Sequence, residues 1–423
     1  MKKTIPIILI ILIITIYIKK DKQTNYNSIY STIINTSNNT YTIISTNGSI
    51  YTINTDIPLK LNDTIKITYN KDINDIKEIK KVNKLIYNKN DIFYTYYDKA
   101  NNLIKNMTIE EKIGSLLLTR LPDNPKEAIN KYHVSGFIYY KKDINNKTKQ
   151  SIINEIKQLQ QISKIPLYIG IDEEGGKVTR LSTNKDITPS PFLSPQELYL
   201  QGGFEKIKED TINKSNILYS LGFNLNFAPV CDVTTNKSSY MYERSFGKDA
   251  KLTSQYVETV IENTTNKVSF ILKHFPGYGD NTDTHKEISI DKRPYSTFVK
   301  NDFLPFQSGI NKNAEGIMVS HNYVTSIDKS YPASLGINTH NILRNTLNFS
   351  GIIITDDLEM AAAKYQNKYT LALQAGNNLL IVTDYEKAYN EIYENIKNNT
   401  ITESLIDNLL LRTIAHKYYK NLL

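Results

Sequence analysis

Tryptophan is absent from the 423 residues, and cysteine occurs once. The first absence leaves Tyr and Phe as the only side chains on which a sugar ring could stack. The second excludes an intramolecular disulfide and leaves the redox compartment unreadable from sulfur. The single thiol, Cys231, lies in the apolar run NFAPVCDV and reads as a buried structural residue rather than a nucleophile. Arginine-rich clusters interleaved with aromatics are also missing. The formal charge of +8 is spread along the chain, which argues against nucleic acid as a partner. His274, Asp280, Asp283, His285 and His321 are potential metal ligands, yet none of them has a zinc-binding helical spacing such as H-E-x-x-H. No metal and no other cofactor is therefore expected.

What is present begins with MKKTIPIILIILIITIYIKKDK, an apolar stretch from Thr4 to Ile18 between lysines. At about fifteen residues it falls short of the roughly twenty that span a bilayer, but flanking lysines can snorkel to extend it. No small-residue cleavage site follows, and no cysteine is available for lipidation. Residues 1–24 thus read as an uncleaved signal anchor, with a cleaved signal peptide as the alternative, and the remainder as extracytoplasmic. From residue 25 to 86 the pattern becomes period-two alternation, as in TYTIIST and LKLNDTIKITYN, punctuated by Asn47-Gly48 and Asn62-Asp63 turns. That predicts a small all-β domain, a barrel or sandwich, with nothing catalytic in it.

From residue 87 to 423 the chain alternates apolar runs with helical periodicity. Thr108-Ile109-Glu110-Glu111 is a capping box opening a helix. The runs are IGSLLLTR, GFIYY, PLYIGID, LNFAPVCDV, VSFILKH, GIMVSH, GIIITDD and NLLIVTD, separated by amphipathic segments such as KQSIINEIKQLQQI. Eight buried strands alternating with helices predict a (β/α)8 TIM-type barrel. A doubly wound sheet is disfavoured because no glycine fingerprint follows the first strand. Active sites of such barrels lie at the carboxyl ends of the strands. Those ends carry Asp172, Asp232, Lys273-His274, His321-Asn322, Asp356-Asp357 and Asp384. Asp232 and Asp384 also fit the simpler role of helix caps. Together the residues form a mixed-charge mouth suited to a polyol such as a sugar.

With these residues in place, the chain resembles glycoside hydrolase family 3, in particular its bacterial β-N-acetylhexosaminidase branch. The likeness covers about residues 100–423 and rests on collinear motifs: MTIEEKIGSLLL, GIDEEGGKVTRL, NFAPVCDV, ERSFG, KHFPGYGDNTDTH, IMVSHNYVTSIDKSYPASLG and GIIITDDLEMAA. The resemblance implies Asp356 as nucleophile, His285 as general acid/base supported by Asp283, and Asp172, Arg180, Arg244, Lys273 and His274 as sugar-binding residues. Asp357 is read as the neighbour that faces away, since successive strand positions point to opposite sides. The loop departs from the common family pattern. Tyr278 stands where a histidine is frequent, the spacer is one residue shorter, and Thr284 replaces serine; Lys177 stands where an arginine is frequent.

The resemblance implies a retaining exo-glycosidase that removes terminal β-linked N-acetylglucosamine, with cell-wall fragments as the expected substrate; the N-terminal segment, outside the resemblance, implies attachment to the membrane, and a monomer is expected. Retaining chemistry needs a carboxylate below the anomeric carbon and a proton donor above the leaving oxygen. An imidazole titrating near 6.5 suits the second role. The rivals are a β-glucosidase or glycoside phosphorylase of the same family and a catalytically inactive wall-binding module. Asp283-x-His285 and the closing helical segment ITESLIDNLLLRTIAHKYYKNLL favour the hexosaminidase over the glucosidase. Retention of Asp356, Asp283 and His285 together disfavours the inactive module.

Overall fold

The computed structural model describes residues 26–281 and 288–423. The expected anchor, residues 4–18, and the acid/base pair Asp283 and His285 lie outside the described residues. The chain divides into two compact units, one of residues up to Ser45 with Thr52–Ile86, the other of Thr46–Tyr51 with Tyr87–Leu423. Among the described residues no helix is long and apolar enough to cross a membrane.

The N-terminal strands are β1 (Asn27–Ser37), β2 (Thr40–Ser45), β3 (Ile50–Asn54), β4 (Thr64–Tyr69) and β5 (Ile76–Lys81). They form one antiparallel sheet in the order β3-β2-β1-β4-β5, so a sandwich of two packed sheets is not what the alternation specifies. On β4, Ile65 and Ile67 are fully buried while Thr64 and Lys66 are not. This is the one-sided burial that period-two patterning produces. Asn62 precedes β4 at a φ of 68°, in keeping with the turn read there.

The larger unit is a parallel barrel. Its strands are β6 (Leu117–Arg120), β7 (Gly136–Tyr139), β8 (Tyr168–Ile171), β9 (Leu225–Asn226), β10 (Ser269–Phe275), β12 (Gly316–Val319), β14 (Ile352–Thr355) and β15 (Leu380–Val382). The two-residue strands β11 (Ile290–Asp291) and β13 (Tyr323–Val324) pair with each other outside it. The barrel order is β14-β12-β10-β9-β8-β7-β6-β15, and a bridge between Ile354 and Leu379 joins its ends. Every residue of β7, β8, β12 and β14 is buried. Parallel strands covered on both faces are continuous apolar runs for that reason. Each fully buried Ile or Leu in them contributes about 1.5–3 kcal/mol relative to exposure.

Each of the eight apolar runs contains one barrel strand. The helix at Ile109–Gly114 opens with the expected capping box, Thr108 accepting from the Glu111 N–H and Glu111 accepting from the Thr108 N–H. β9 is far shorter than the run LNFAPVCDV suggests. Pro229 has no N–H to give a neighbouring strand, and beyond Asn226 the backbone bonds to β10 reduce, among the described residues, to Pro229 O, accepting from the Lys273 N–H, and the Cys231 N–H, donating to Lys273 O.

Candidate active site

A cavity of about 380 Å³ opens at the carboxyl ends of the barrel strands, within the size range of small-molecule sites. Of the residues expected to serve the site, Asp172, Arg180, Arg244, Lys273, His274 and Asp356 all border it. They come from four separate strand ends and the loops that follow.

GIDEEGGKVTRL resolves into distinct roles. Asp172 directly follows β8 and borders the cavity. Glu173 turns the other way and is fully buried, accepting from the N–H groups of Arg180 at 2.8 Å and Leu181 at 2.7 Å. It thereby folds the loop so that Arg180 returns to the cavity wall. Arg180 lies 5.8 Å from the Tyr140 ring centroid, and its buried Nε has no hydrogen-bond partner among the described residues. Glu174 grips two cations, with Oε1 2.6 Å from Lys273 Nζ and 2.7 Å from Arg244 Nη2. Lys273 also reaches Asp172 Oδ1 at 2.7 Å.

This charge cluster is deeply buried, and its energetics follow from pairing. Burial pushes the Glu174 carboxyl up, but Arg244 and Lys273 overcome it and hold it down to about 2. Burial also pushes the Lys273 ammonium down, and Asp172 and Glu174 more than reverse that shift. Both groups therefore stay charged, and the Glu174 carboxylate holds the donors Lys273 and Arg244 in place before any ligand arrives.

His274 is held from behind. Its Nδ1 lies 2.7 Å from Asp232 Oδ2, and its Nε2 lies 3.4 Å from Arg244 Nη2. A guanidinium only donates, so the second contact puts the lone pair on Nε2 and the proton on Nδ1. Asp232 also accepts from the N–H of Tyr278. It orients the histidine and the loop rather than capping a helix. Asp384 does take the capping role, accepting from the Lys387 N–H, and does not border the cavity. His321 is buried between Ser334 Oγ and the Asp357 carbonyl and does not border the cavity.

The loop after β10 is anchored at Tyr278 and at two glycines. Tyr278 is 1% exposed and packs with Val230 and Met241, its ring edge-on to His274 at 5.2 Å. A tyrosine where the family often has histidine is thus a packing residue. Gly277 and Gly279 have φ of 115° and 55°, and a Cβ on them would come within 2.6 Å of Asp302 and 2.7 Å of Arg293. Both features demand glycine.

Asp356 and Asp357 both border the cavity, which corrects the expectation that the second faces away. β14 ends at Thr355, so the pleat no longer dictates their direction. Asp357 is nevertheless occupied, accepting from Arg120 Nη2 at 2.7 Å, Thr383 Oγ1 at 2.8 Å and the Glu359 N–H at 3.0 Å. Its own N–H donates to Asp356 Oδ1 at 2.8 Å. Sequence reading missed Glu173, Glu174, Arg120 and Tyr140 as site residues. Three consecutive acids at a strand end were the visible signal for the first two. Arg120, the last residue of its apolar run, was the signal for the third.

The family model described as "Glycosyl hydrolase family 3 N terminal domain" matches residues 108–415. A protein named "Beta-hexosaminidase" from Glaesserella parasuis is 30% identical over 286 residues, covering 66% of this chain and 82% of that protein. One of the same name from Methylococcus capsulatus is 27% identical over 288 residues, covering 66% and 85%. Among solved structures, a glycoside hydrolase family 3 beta-N-acetylglucosaminidase from Paenibacillus sp. str. FPU-7 superposes with a TM-score of 0.70 at 27% identity. That match covers 75% of this chain and 63% of the Paenibacillus chain.

Proposed function

The chain belongs to glycoside hydrolase family 3, and from that membership and the cavity's geometry we propose that it is a retaining β-N-acetylhexosaminidase that releases terminal β-linked N-acetylglucosamine. The observation that carries this reading is Asp356, directly after β14, bordering the same cavity as the preset donors Lys273 and Arg244 and the oriented imidazole of His274. A sugar gripped by those donors presents its anomeric carbon to a carboxylate.

The reaction then proceeds by double displacement. An Asp356 oxygen attacks the anomeric carbon, the bond to the leaving oxygen breaks, and that oxygen takes a proton from the acid/base group. Water then attacks the same carbon, returns a proton to that group and frees Asp356. His285, with Asp283 orienting its ring, is assigned the acid/base role on the strength of the Asp-x-His motif and the family resemblance. Asp172, Arg180, Arg244, Lys273 and His274 hold sugar hydroxyls and the acetamido group by donating or accepting according to their chemistry.

Thr4–Ile18, flanked by lysines, tethers the enzyme outside the cytoplasm, where it works as a monomer on cell-wall fragments. Protease treatment of intact cells should degrade the protein, and full protection would overturn this placement.

Activity is tested by giving the purified full chain an aryl β-N-acetylglucosaminide and an aryl β-glucoside, with and without phosphate. Hydrolysis of the first, with a β-configured first product and no sugar phosphate, is expected. Preference for the glucoside, formation of a sugar phosphate, or no release from either substrate each sinks the reading.

A further inference from the structure

Four strand ends meet on one side of the cavity, and they carry Arg120, Tyr140, Asp357 and Thr383. Arg120 is the last residue of β6, and its Nε and Nη2 donate to the same oxygen of Asp357 at 3.1 and 2.7 Å. Its guanidinium lies over the Tyr140 ring at 4.8 Å from the centroid. Fork and stack together fix the group from two directions. The Asp357 side chain is 7% exposed, a position in which a carboxylate is costly without a cationic partner. Its other partners, Thr383 Oγ1 and the Glu359 N–H, are neutral, so Arg120 supplies the compensating charge.

We infer that Arg120 is a positioning residue for the nucleophile, acting by neutralising Asp357 so that the adjacent Asp356 carboxylate stays ionised and turned toward the anomeric carbon. The inference rests on the reading of Asp356 as nucleophile. Asp357 touches Asp356 through its backbone, the N–H donating to Oδ1 at 2.8 Å. An uncompensated charge on Asp357 would raise the proton affinity of Asp356 and loosen the peptide that holds it.

Among the described residues, the remaining charged groups around the cavity are already engaged or stand elsewhere on its wall. Lys273 is taken by Asp172 and Glu174, and Arg244 by Glu174. His274 is bound to Asp232, and Lys177 pairs with Glu243. Arg180 lies against Tyr140 at 5.8 Å, and among the described residues no ion pair links it to either aspartate. Asp172 at the mouth is balanced by Lys273, and Asp357, the acid next in sequence to Asp356, by Arg120.

The test is the pH dependence of kcat/KM on an aryl N-acetylglucosaminide for Arg120→Met, Arg120→Lys, Asp357→Asn and the Arg120→Met/Asp357→Asn double variant. Arg120→Met should move the acid limb up by about one pH unit. Arg120→Lys should recover much of that shift, keeping the charge and losing the fork. The double variant should return the limb to its wild-type position, because the charge left bare in the single variant is gone. A purely structural role for Arg120 predicts lower yield or stability with an unmoved limb. An unmoved limb in Arg120→Met, or a double variant shifted as far as the single, overturns the inference. If Arg120→Met does not fold, Arg120→Gln, which also removes the charge, takes its place: the same upward shift is expected, and an unmoved limb overturns the inference. Substantial turnover by Asp356→Asn would instead sink the underlying reading of the nucleophile. An inactive Asp356→Asn with an unmoved Arg120→Met limb sinks this inference only.

Discussion

At the mouth of the barrel Glu174 sits between Lys273 and Arg244; at the base Glu315 sits between His416 and Lys420. In both places burial pushes the carboxyl up, and hydrogen-bonded cationic or imidazole partners hold it down to about 2. At the base the network closes on itself. His416 bridges Ser269 and Tyr168, and Lys417 donates to the carbonyls of Ser135 and Pro166. The void beside Lys417 is about 20 Å³, room for a single water. At the mouth the same kind of network borders a cavity of about 380 Å³. A strongly perturbed carboxyl therefore does not mark function by itself. What distinguishes the mouth is that its charges meet space a ligand can fill.

Substitutions at the two ends should separate along this line. The largest effect belongs to Asp356→Asn, which should cost about 10⁴-fold or more in kcat while leaving the unfolding midpoint near that of wild type. A variant with more than a hundredth of wild-type turnover would put the nucleophile elsewhere. Next comes Glu315→Gln at the base. Breaking its pairs should lower stability by about 3 kcal/mol, read from urea unfolding, with kcat and KM within about twofold of wild type. Glu174→Gln should lose stability to a similar degree and also raise KM about tenfold, because Lys273 and Arg244 lose their common anchor. If both variants affected only stability, the contrast between the two ends would collapse.

Acid sharpens the same comparison. Both carboxyls are lower in the folded chain than the ordinary value of 4.5. Their contribution is complete above about 4.5 and is lost as pH falls through about 2. The urea midpoint should therefore drop across that window, and either Gln variant should flatten the slope. The smallest effect is expected at Lys177, whose partner Glu243 is as exposed as itself, 61% against 64%. Lys177→Ala should change stability by less than about 1 kcal/mol and KM by a few-fold at most. A larger loss of stability would mean that this exposed pair is coupled to the cluster beneath it.

Much of the barrel was legible before its geometry was known. The eight apolar runs, the Thr108 capping box and the strand-end positions of Asp172, Lys273, His274 and Asp356 all come from patterning within a few residues. β9 was misjudged in length because the run LNFAPVCDV reads as strand by hydrophobicity, whereas Pro229 withholds the N–H a ladder needs. Asp232 and Asp384 looked alike as acids at strand ends. One orients His274 and the other caps a helix.

By itself, then, the sequence determined the alternation of strand and helix, the buried character of the strands and which residues stand at their carboxyl ends. Those properties follow from local periodicity and propensity. Only the tertiary structure decided which side chains meet. Lys273 pairs with Asp172 across 101 residues, Arg244 with Glu174 across 70, and Arg120 with Asp357 across 237. Such pairings depend on barrel closure bringing distant strand ends together, and on the desolvation that makes an unpaired charge there too costly to keep. No short-range pattern encodes either.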